Sequence, residues 1–396
     1  MADKLLLRFG EVGLKGKNRS YFINALIANV RRALAPVLGD VRITSPYGRI
    51  FVDLPDNCDL EDVRGAMQRV FGLVSCSPVQ AVALDMDSIR AAALAELKSG
   101  EPATTFKVDS RRALKTFPLN SQEINQELGG FLLQNCPGVK VDIHNPQRTV
   151  SVEVRREGAF VFSRIWPGPG GMPVGVTGKG VLLLSGGIDS PVAGWLAMKR
   201  GIALEALYFD TPPFTSPRAL AKVEKLARQL SRYGPVNLHV VNFTAVQQAL
   251  METTPEDLTI TVMRRFMYRV AEALAKRKSC LALITGESVA QVASQTLESI
   301  QVINDVVRLP VLRPVVTMDK VEIVELARRI ETYETSVEPY QDCCALFVSK
   351  HPKTRPTLKQ AEAAESGLDV DDLVQTALKQ INTKTYKDYA EEEVVT

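Results

Sequence analysis

The chain has 396 residues, 45% of them apolar and 23% charged, with a formal net charge of +3. That is the composition of a folded globular protein of two or three domains, each with enough residues to bury its own core. It excludes a membrane-spanning chain, because no apolar run approaches the roughly 20 residues needed. Six scattered cysteines without Cys-x-x-Cys spacing argue against a disulfide framework or a structural metal centre. The opening Met1-Ala-Asp-Lys passes at once into an alternating segment with no signal-peptide features, so a reducing cytoplasm is the expectation. Charge is unevenly spread. Residues 361–396 carry 3 Lys/Arg against 9 Asp/Glu, which leaves a basic body of net +9. Such a body is compatible with an anionic partner, although a solvated surface explains it equally well.

In chain order, Lys4–Phe9 alternates as a strand. Residues 20–34 carry Phe22, Ile23, Leu26, Ile27 and Val30 at helical spacing. Short strands are expected at 41–43 and 49–54, around the Pro46-Tyr47-Gly48 turn. A helix at 60–70, strand 79–84, helix 88–97, strand 104–109, helix 121–135 and strands near 139–143, 150–154 and 159–164 follow. They make two small α+β units that break near residue 60. Residues 166–180 are too rich in Gly and Pro for regular structure and read as a linker or binding loop. Beyond it the texture changes. Apolar runs at 181–184, 203–209, 236–243, 280–285 and 311–316 alternate with helices at 191–199, 217–233, 257–277 and 320–329. Near-continuous apolar strands alternating with helices predict a parallel sheet covered on both faces. The tail 357–396 reads as helical and acidic.

Ser185-Gly186-Gly187-Ile188-Asp189-Ser190 carries the strongest chemical signal. It lies between a buried strand and a helix, with Ser190 expected at the N-cap and Pro191 in the first turn. Two glycines permit close backbone approach and positive φ, so successive N–H groups can face an anion at the helix start. The loop lacks the lysine of a Walker-type site, which disfavours γ-phosphate transfer. Ligands of open α/β sheets gather beyond the carboxyl ends of the strands. The polar clusters 208–210, 285–288 and Arg313-Pro314 fall there, with Gln291 and Gln295 following. Arg264 and Arg265 sit in a helical stretch, where a solvated face and a phosphate clamp fit equally well.

Asp342-Cys343-Cys344 is the second signal. Two adjacent cysteines stand in an expected loop between Pro339 and Pro352, near Lys350, His351, Lys353 and Arg355, whose positive field lowers a thiol pKa. A disulfide between the two neighbours is geometrically strained. Cys58, Cys76, Cys136 and Cys280 lie in or near apolar segments and read as structural. Basic clusters thread the first half: Lys15, Lys17 and Arg19, then Lys107, Arg111, Arg112 and Lys115. Such residues would position the phosphates of a folded RNA.

Taken together, these motifs resemble the ATP-pyrophosphatase (PP-loop) enzymes and, within them, the tRNA 4-thiouridine synthetase (tRNA sulfurtransferase) family. Beyond the 185–190 loop, the resemblance rests on Gly13-Leu14-Lys15-Gly16-Lys17-Asn18-Arg19, Phe106-Lys107-Val108 with Phe117-Pro118-Leu119-Asn120-Ser121, and Gly170-Gly171-Met172-Pro173-Val174-Gly175. Thr285-Gly286-Glu287 with Gln291 and Ser294-Gln295-Thr296-Leu297, and Asp319-Lys320 with the Cys343-Cys344 segment, complete it. It implies an α/β fold. A Rossmann-like parallel-sheet adenylating domain (181–396) would follow a ferredoxin-like domain (1–60), a THUMP RNA-binding domain (61–166) and the linker 167–180. It implies uridine 8 of tRNA as target and ATP with Mg²⁺ as cofactors.

By the same resemblance, Leu183, Leu184, Tyr208, Phe209, Arg264 (or Arg265), Gly286 and Gln295 contact ATP. Ser185, Gly186, Gly187, Asp189 and Ser190 form the phosphate cradle, and Asp189 is also the metal ligand. Lys320 and Asp189 assist the chemistry, Cys344 carries sulfur and Cys343 is the nearest second thiol. Some members end in a rhodanese domain. No cysteine follows Cys344 here, so the short form is expected, fed by a cysteine desulfurase or another donor. The resemblance associates a thiamine-related role with the rhodanese module and leaves it open for this chain. A homodimer would let one copy's RNA-binding half serve another's active site. Another adenylating enzyme, or a non-enzymatic RNA-binding protein, remains the alternative.

Overall fold

In the computed structural model, which describes residues 2–46, 48–340, 352–387 and 390–392, the chain forms two units, 1–171 and 172–396. No helix among the described residues is long and apolar enough to cross a membrane.

Unit 1 is built on antiparallel pairing around one long strand. β1 (Lys4–Phe9), β2 (Ile43–Thr44), β3 (Ile50–Asp53) and β4 (Leu73–Val82) alternate with α1 (Arg19–Leu38) and α2 (Leu60–Met67). Then follow α3 (Met86–Lys98), β5 (Thr105–Arg112), α4 (Ser121–Asn135), β6 (Lys140–Val141), β7 (Arg148–Arg155), β8 (Gly158–Phe162) and β9 (Trp166–Pro167). The sheet order is β2-β3-β1-β4-β8-β7-β5-β6, with β9 on β4. The sequence reading broke this half near residue 60, but the apolar core runs through that point. Val63, Ala66 and Met67 of α2 pack with Leu5, Leu7, Leu26 and Val30. The change-over lies inside β4: its first part pairs with β1 and residues 80–82 pair with β8. A second core then gathers Ile89, Phe106, Ile124, Leu128 and Val152.

The Gly/Pro segment is ordered. Trp166 pairs with Cys76, Gly170 N–H donates to Leu73 O, and Met172 N–H donates to Lys199 O. Gly170, Gly171, Gly175 and Gly178 all hold positive φ, a conformation that β-carbons disfavour.

Unit 2 carries the expected parallel sheet. β10 (Lys179–Leu183), α5 (Asp189–Lys199), β11 (Ala203–Asp210), α6 (Pro217–Ser231) and β12 (Val236–Asn242) make one half. α7 (Thr244–Thr253), α8 (Thr259–Lys278), β13 (Ala282–Ile284), α9 (Leu297–Asn304) and β14 (Val311–Leu312) make the other, followed by α10 (Lys320–Arg329) and α11 (Tyr333–Ser336). The order is β14-β13-β10-β11-β12, all parallel. The chain runs outward from β10 in both directions, so the switch point lies between β10 and β13.

The tail departs from expectation. Only Leu358–Glu365 and Val370–Lys379 are helical. Residues Ile381–Lys387 form β15, antiparallel to β12, and Ala390–Glu392 form β16. β15 is held by chemistry its polar sequence hides. His239 on β12 is fully buried, with one ring nitrogen 2.8 Å from Thr383 Oγ1 and the other 2.8 Å from Glu205 Oε2.

Glu365 ties the tail helices to α8. It accepts from Arg265 Nε at 2.7 Å and from both Arg269 Nη atoms at 2.8 and 2.7 Å. Burial alone would raise its carboxyl, but the bonds from Arg269 and Arg265 hold it below the ordinary range. The folded state therefore binds this proton more weakly than the unfolded one. The contribution is intact above about pH 4.3 and fades as pH falls below it. Glu365→Ala strands the Arg265 guanidinium without its carboxylate. It is expected to cost about 3–5 kcal/mol, read as a lower urea midpoint at an unchanged slope.

Candidate functional site

Beyond the carboxyl ends of β10 and β11, one pocket is lined by Leu183, Leu184, Ser185, Asp189, Ser190, Tyr208, Phe209, Arg264, Met267, Thr285, Gly286, Glu287 and Gln295. Its first wall is the 185–190 loop. Here the expectation needs correcting. α5 starts at Asp189, so Ser190 lies inside the first turn rather than at the N-cap. Its hydroxyl closes the loop instead: Ser185 N–H donates to Ser190 Oγ at 2.9 Å, and Ser190 Oγ lies 3.2 Å from Ser185 O. Gly187 N–H donates to Ser185 Oγ at 3.3 Å. Gly186 and Gly187 are not among the glycines at positive φ, and neither lines the pocket.

The glycine that governs the geometry is Gly286. A β-carbon there would lie 2.6 Å from Ser190 N and 2.7 Å from Asp189 C. Only a residue without a side chain lets the 285–287 turn rest on the start of α5.

Glu287 is the centre of the second wall. It is 1% exposed, and both oxygens are hydrogen-bonded. Oε1 accepts from Arg264 Nη2 at 2.7 Å. Oε2 accepts from Arg313 Nε at 2.7 Å, Tyr268 Oη at 2.8 Å and Thr285 Oγ1 at 3.0 Å. Burial would raise this carboxyl, but Arg264 and Arg313 outweigh it and hold it below the usual carboxylate range. Two arginines on one carboxylate leave a net positive charge beside the loop. The sequence reading noted Glu287 and Arg313 without this pairing, which only the fold reveals.

Arg264 and Arg265 separate cleanly. Successive helical residues point about 100° apart. Arg264 faces the pocket and donates to Ser294 Oγ at 3.3 Å, whereas Arg265, 2% exposed, is spent on Glu365 and Val302 O. Arg265 is therefore removed from the candidate set.

At the rim, Lys320 Nζ lies 2.7 Å from Asp189 Oδ1, and Gln291 Nε2 donates to Asp189 Oδ2 at 2.9 Å. Asp319 caps α10 reciprocally with Glu322 and so fixes where Lys320 emerges. Among the described residues no group of three or more His, Cys, Asp or Glu could hold a metal ion.

Cys343 and Cys344 lie outside the described residues. The chain on either side of them is fixed to the pocket's own loops. On one side Ser336 Oγ donates to Gly187 O at 3.3 Å. On the other, Thr354 O accepts from Thr296 Oγ1 at 2.5 Å, one residue after Gln295, and Lys353 N–H donates to Asp257 O at 2.9 Å. The remaining cysteines behave as structural. Burial pushes the Cys76 thiol up to about 12 and the Cys280 thiol to about 11.

In unit 1, Lys15, Lys17, Arg111 and Lys115 are exposed, and Lys107 and Arg19 are half-buried. Lys107 and Arg111 share the face of β5 opposite to the one that buries Phe106. Arg112 is occupied internally: its Nη1 donates to Lys115 O at 3.0 Å and Phe117 O at 3.1 Å, so it shapes the 113–117 turn rather than offering a free charge. Sequence reasoning missed a neighbouring cluster in which Arg8, Arg49 and Arg155 surround the buried Glu153.

A family model described as "Thiamine biosynthesis protein (ThiI)" matches residues 175–370, a "ThiI ferredoxin-like domain" matches 4–77 and a "THUMP domain" matches 83–164. The chain is 53% identical to a "Probable tRNA sulfurtransferase" of Moorella thermoacetica, over 99% of this chain and 100% of that one. It is 49% identical to a protein of the same description from Halothermothrix orenii, over 96% and 98%. Among solved structures it resembles "a 4-thiouridine synthetase - RNA complex with bound ATP", with TM-score 0.90 and 38% identity, covering 98% of this chain and 100% of that one.

Gly286→Ala forces a methyl group into the backbone of Ser190. It is expected to destabilise unit 2 by about 1–3 kcal/mol; an unchanged denaturation midpoint would mean that the turn and the loop are not in contact.

Proposed function

The chain belongs to the tRNA sulfurtransferase family, and we propose that it converts uridine at position 8 of tRNA to 4-thiouridine in the cytoplasm, with ATP as the activating substrate. The observation that carries this reading is a single pocket that joins the 185–190 loop, Arg264 and Gln295. Both ends of the Cys343-Cys344 segment are tethered to that pocket's loops. RNA and ATP, the two ligands in the description of the solved relative, are the ones assigned here.

A carbonyl oxygen is a poor leaving group. Attack of uridine O4 on the α-phosphorus of ATP expels pyrophosphate and makes O4 part of an adenylate, which leaves readily as AMP. The 185–190 loop and the first turn of α5 receive the departing diphosphate at a helix N-terminus. Arg264 and Lys320 balance charge that develops on the phosphoryl oxygens. Leu183, Leu184, Tyr208 and Phe209 flank the nucleoside, and Gly286 lets its turn lie close. Gln295 has a buried Oε1 without a hydrogen-bond partner, an acceptor suited to the adenine amine. Asp189, whose two oxygens accept from Lys320 and Gln291, would be the carboxylate to hold Mg²⁺, which would supply charge neutralisation on the phosphates.

Sulfur arrives as a persulfide on Cys344, charged by a cysteine desulfurase. Its outer sulfur attacks C4, the C4–O4 bond breaks and AMP departs with O4. A second thiol then attacks Cys344 Sγ, with Cys343 the nearest in sequence. The S–S bond breaks, the transferred sulfur stays on C4, and the resulting protein disulfide is reduced by an external thiol. Lys15, Lys17, Arg19, Lys107, Arg111 and Lys115 meet tRNA phosphates.

With tRNA present, ATP should yield pyrophosphate and AMP; formation of ADP would refute adenylation. Cys344→Ser should retain pyrophosphate release and lose thiolation, and full thiolation by that variant would move the sulfur carrier elsewhere. Binding of tRNA by the full chain should weaken steeply with salt as counterions are released. The Lys15→Ala, Lys17→Ala double variant should flatten that log–log slope by about 2, whereas an unchanged slope would remove the 13–19 segment from the interface.

A further inference from the structure

Lys222 lies in the middle of α6, yet it is only 5% exposed. A buried ammonium is costly unless it is paired or hydrogen-bonded, so its surroundings matter. Its Nζ donates to Glu338 O at 2.9 Å and to Tyr340 O at 3.4 Å. These are main-chain carbonyls at the end of the stem that leads into the Cys343-Cys344 segment. Lys222 does not act alone. Arg218 lies over the Tyr340 ring, with Nη1 3.4 Å from its hydroxyl. Lys225 pairs with Glu338 at 3.0 Å. Gln229 donates to Glu331 O at 2.9 Å and Thr335 Oγ1 at 3.1 Å, and Arg232 pairs with Glu331.

Positions 218, 222, 225, 229 and 232 recur at spacings of three and four, so they form one stripe along the helix. The other face carries Ala219, Val223, Leu226 and Leu230 into the core. α6 follows the loop after β11, the strand that ends with Tyr208 and Phe209 in the pocket wall. One rigid helix thus links that wall to the stem of the cysteine segment. Tyr340 precedes Cys344 by four residues, a length of chain that reaches at most about 14 Å.

We propose that Lys222 is a positioning residue for sulfur delivery: its buried ammonium pins the carbonyls of Glu338 and Tyr340, and so sets the point from which the chain continues into the Cys344 segment. This rests on the reading of Cys344 as the sulfur carrier. Lys222 is absent from the pocket lining, so adenylation is expected to survive its loss. Its loss therefore uncouples the two half-reactions, whereas a merely structural residue would lower both together.

The test measures tRNA-dependent pyrophosphate release and 4-thiouridine formation in parallel, for the full-length wild type, Lys222→Met, Lys222→Arg and Cys344→Ser. In Lys222→Met, thiolation should fall at least tenfold while pyrophosphate release stays within twofold of wild type. Lys222→Arg, which keeps the charge, should recover part of the thiolation. If Lys222→Met fails to fold, Lys222→Gln, which keeps a donor, is held to the same ratio. Parallel loss of both activities, or loss of neither, overturns the proposal while Cys344→Ser still abolishes thiolation. A fully thiolating Cys344→Ser instead overturns the underlying reading, and this proposal with it.

Discussion

Everything at the candidate site depends on two turns meeting without a side chain between them. The 285–287 turn lies on the first residues of α5 because position 286 has no β-carbon; one placed there would fall 2.6 Å from Ser190 N. That contact brings the end of β13 against the loop after β10, on either side of the switch point. Glu287 then follows immediately and fixes the turn from behind, with four donors converging on its two oxygens. A close backbone approach and a hydrogen-bonded carboxylate together make a rigid, positively biased rim. This is the preorganised charge that phosphoryl chemistry needs.

The surrounding architecture serves this meeting point. α8 supplies Arg264 to the pocket from one face while the neighbouring Arg265 anchors the tail helices through Glu365. α10 brings Lys320 to Asp189 from a capped start. α6 leaves the β11 side of the pocket and clamps the stem at 331–340. The chain between that stem and Lys353 carries the two cysteines, and it is flanked by Ser336, bonded to the 185–190 loop, and Thr354, bonded to Thr296 beside Gln295. In the proposed reading, sulfur delivery and nucleotide activation are thereby tied to a common frame.

Much of this was legible in the sequence where local signals are strong. Strand Lys4–Phe9 and helices Ser121–Asn135 and Lys320–Arg329 fall where they were expected, and the structure shows the helix starts fixed by the reciprocal caps Asn120/Glu123 and Asp319/Glu322. The apolar runs of unit 2 gave away a parallel sheet. What stayed hidden depends on partners far along the chain. The polar segment 381–387 offers no strand periodicity; it is a strand because β12 pairs with it and His239 reaches Thr383. The sequence reading places the division of unit 1 near residue 60 rather than inside β4 because that one strand serves two cores. At the site, Ser190 resembled an N-cap because Pro191 follows it, but α5 already starts at Asp189 and the Ser190 hydroxyl bonds back to Ser185. Arg264 and Arg265 are indistinguishable as letters and opposite in the fold. Lys222 reads as a surface lysine until its carbonyl partners, 116 and 118 residues away, come into view.

The central claim is that a uridine oxygen, rather than water or another nucleophile, attacks the α-phosphorus of ATP in the pocket framed by residues 185–190. Its most direct test uses tRNA carrying ¹⁸O at O4 of uridine 8, incubated with this protein, ATP, Mg²⁺ and a sulfide source, followed by mass analysis of AMP and of the tRNA nucleosides. The account predicts one ¹⁸O in each AMP released and an equal amount of 4-thiouridine. AMP without the label, alongside 4-thiouridine, would contradict it.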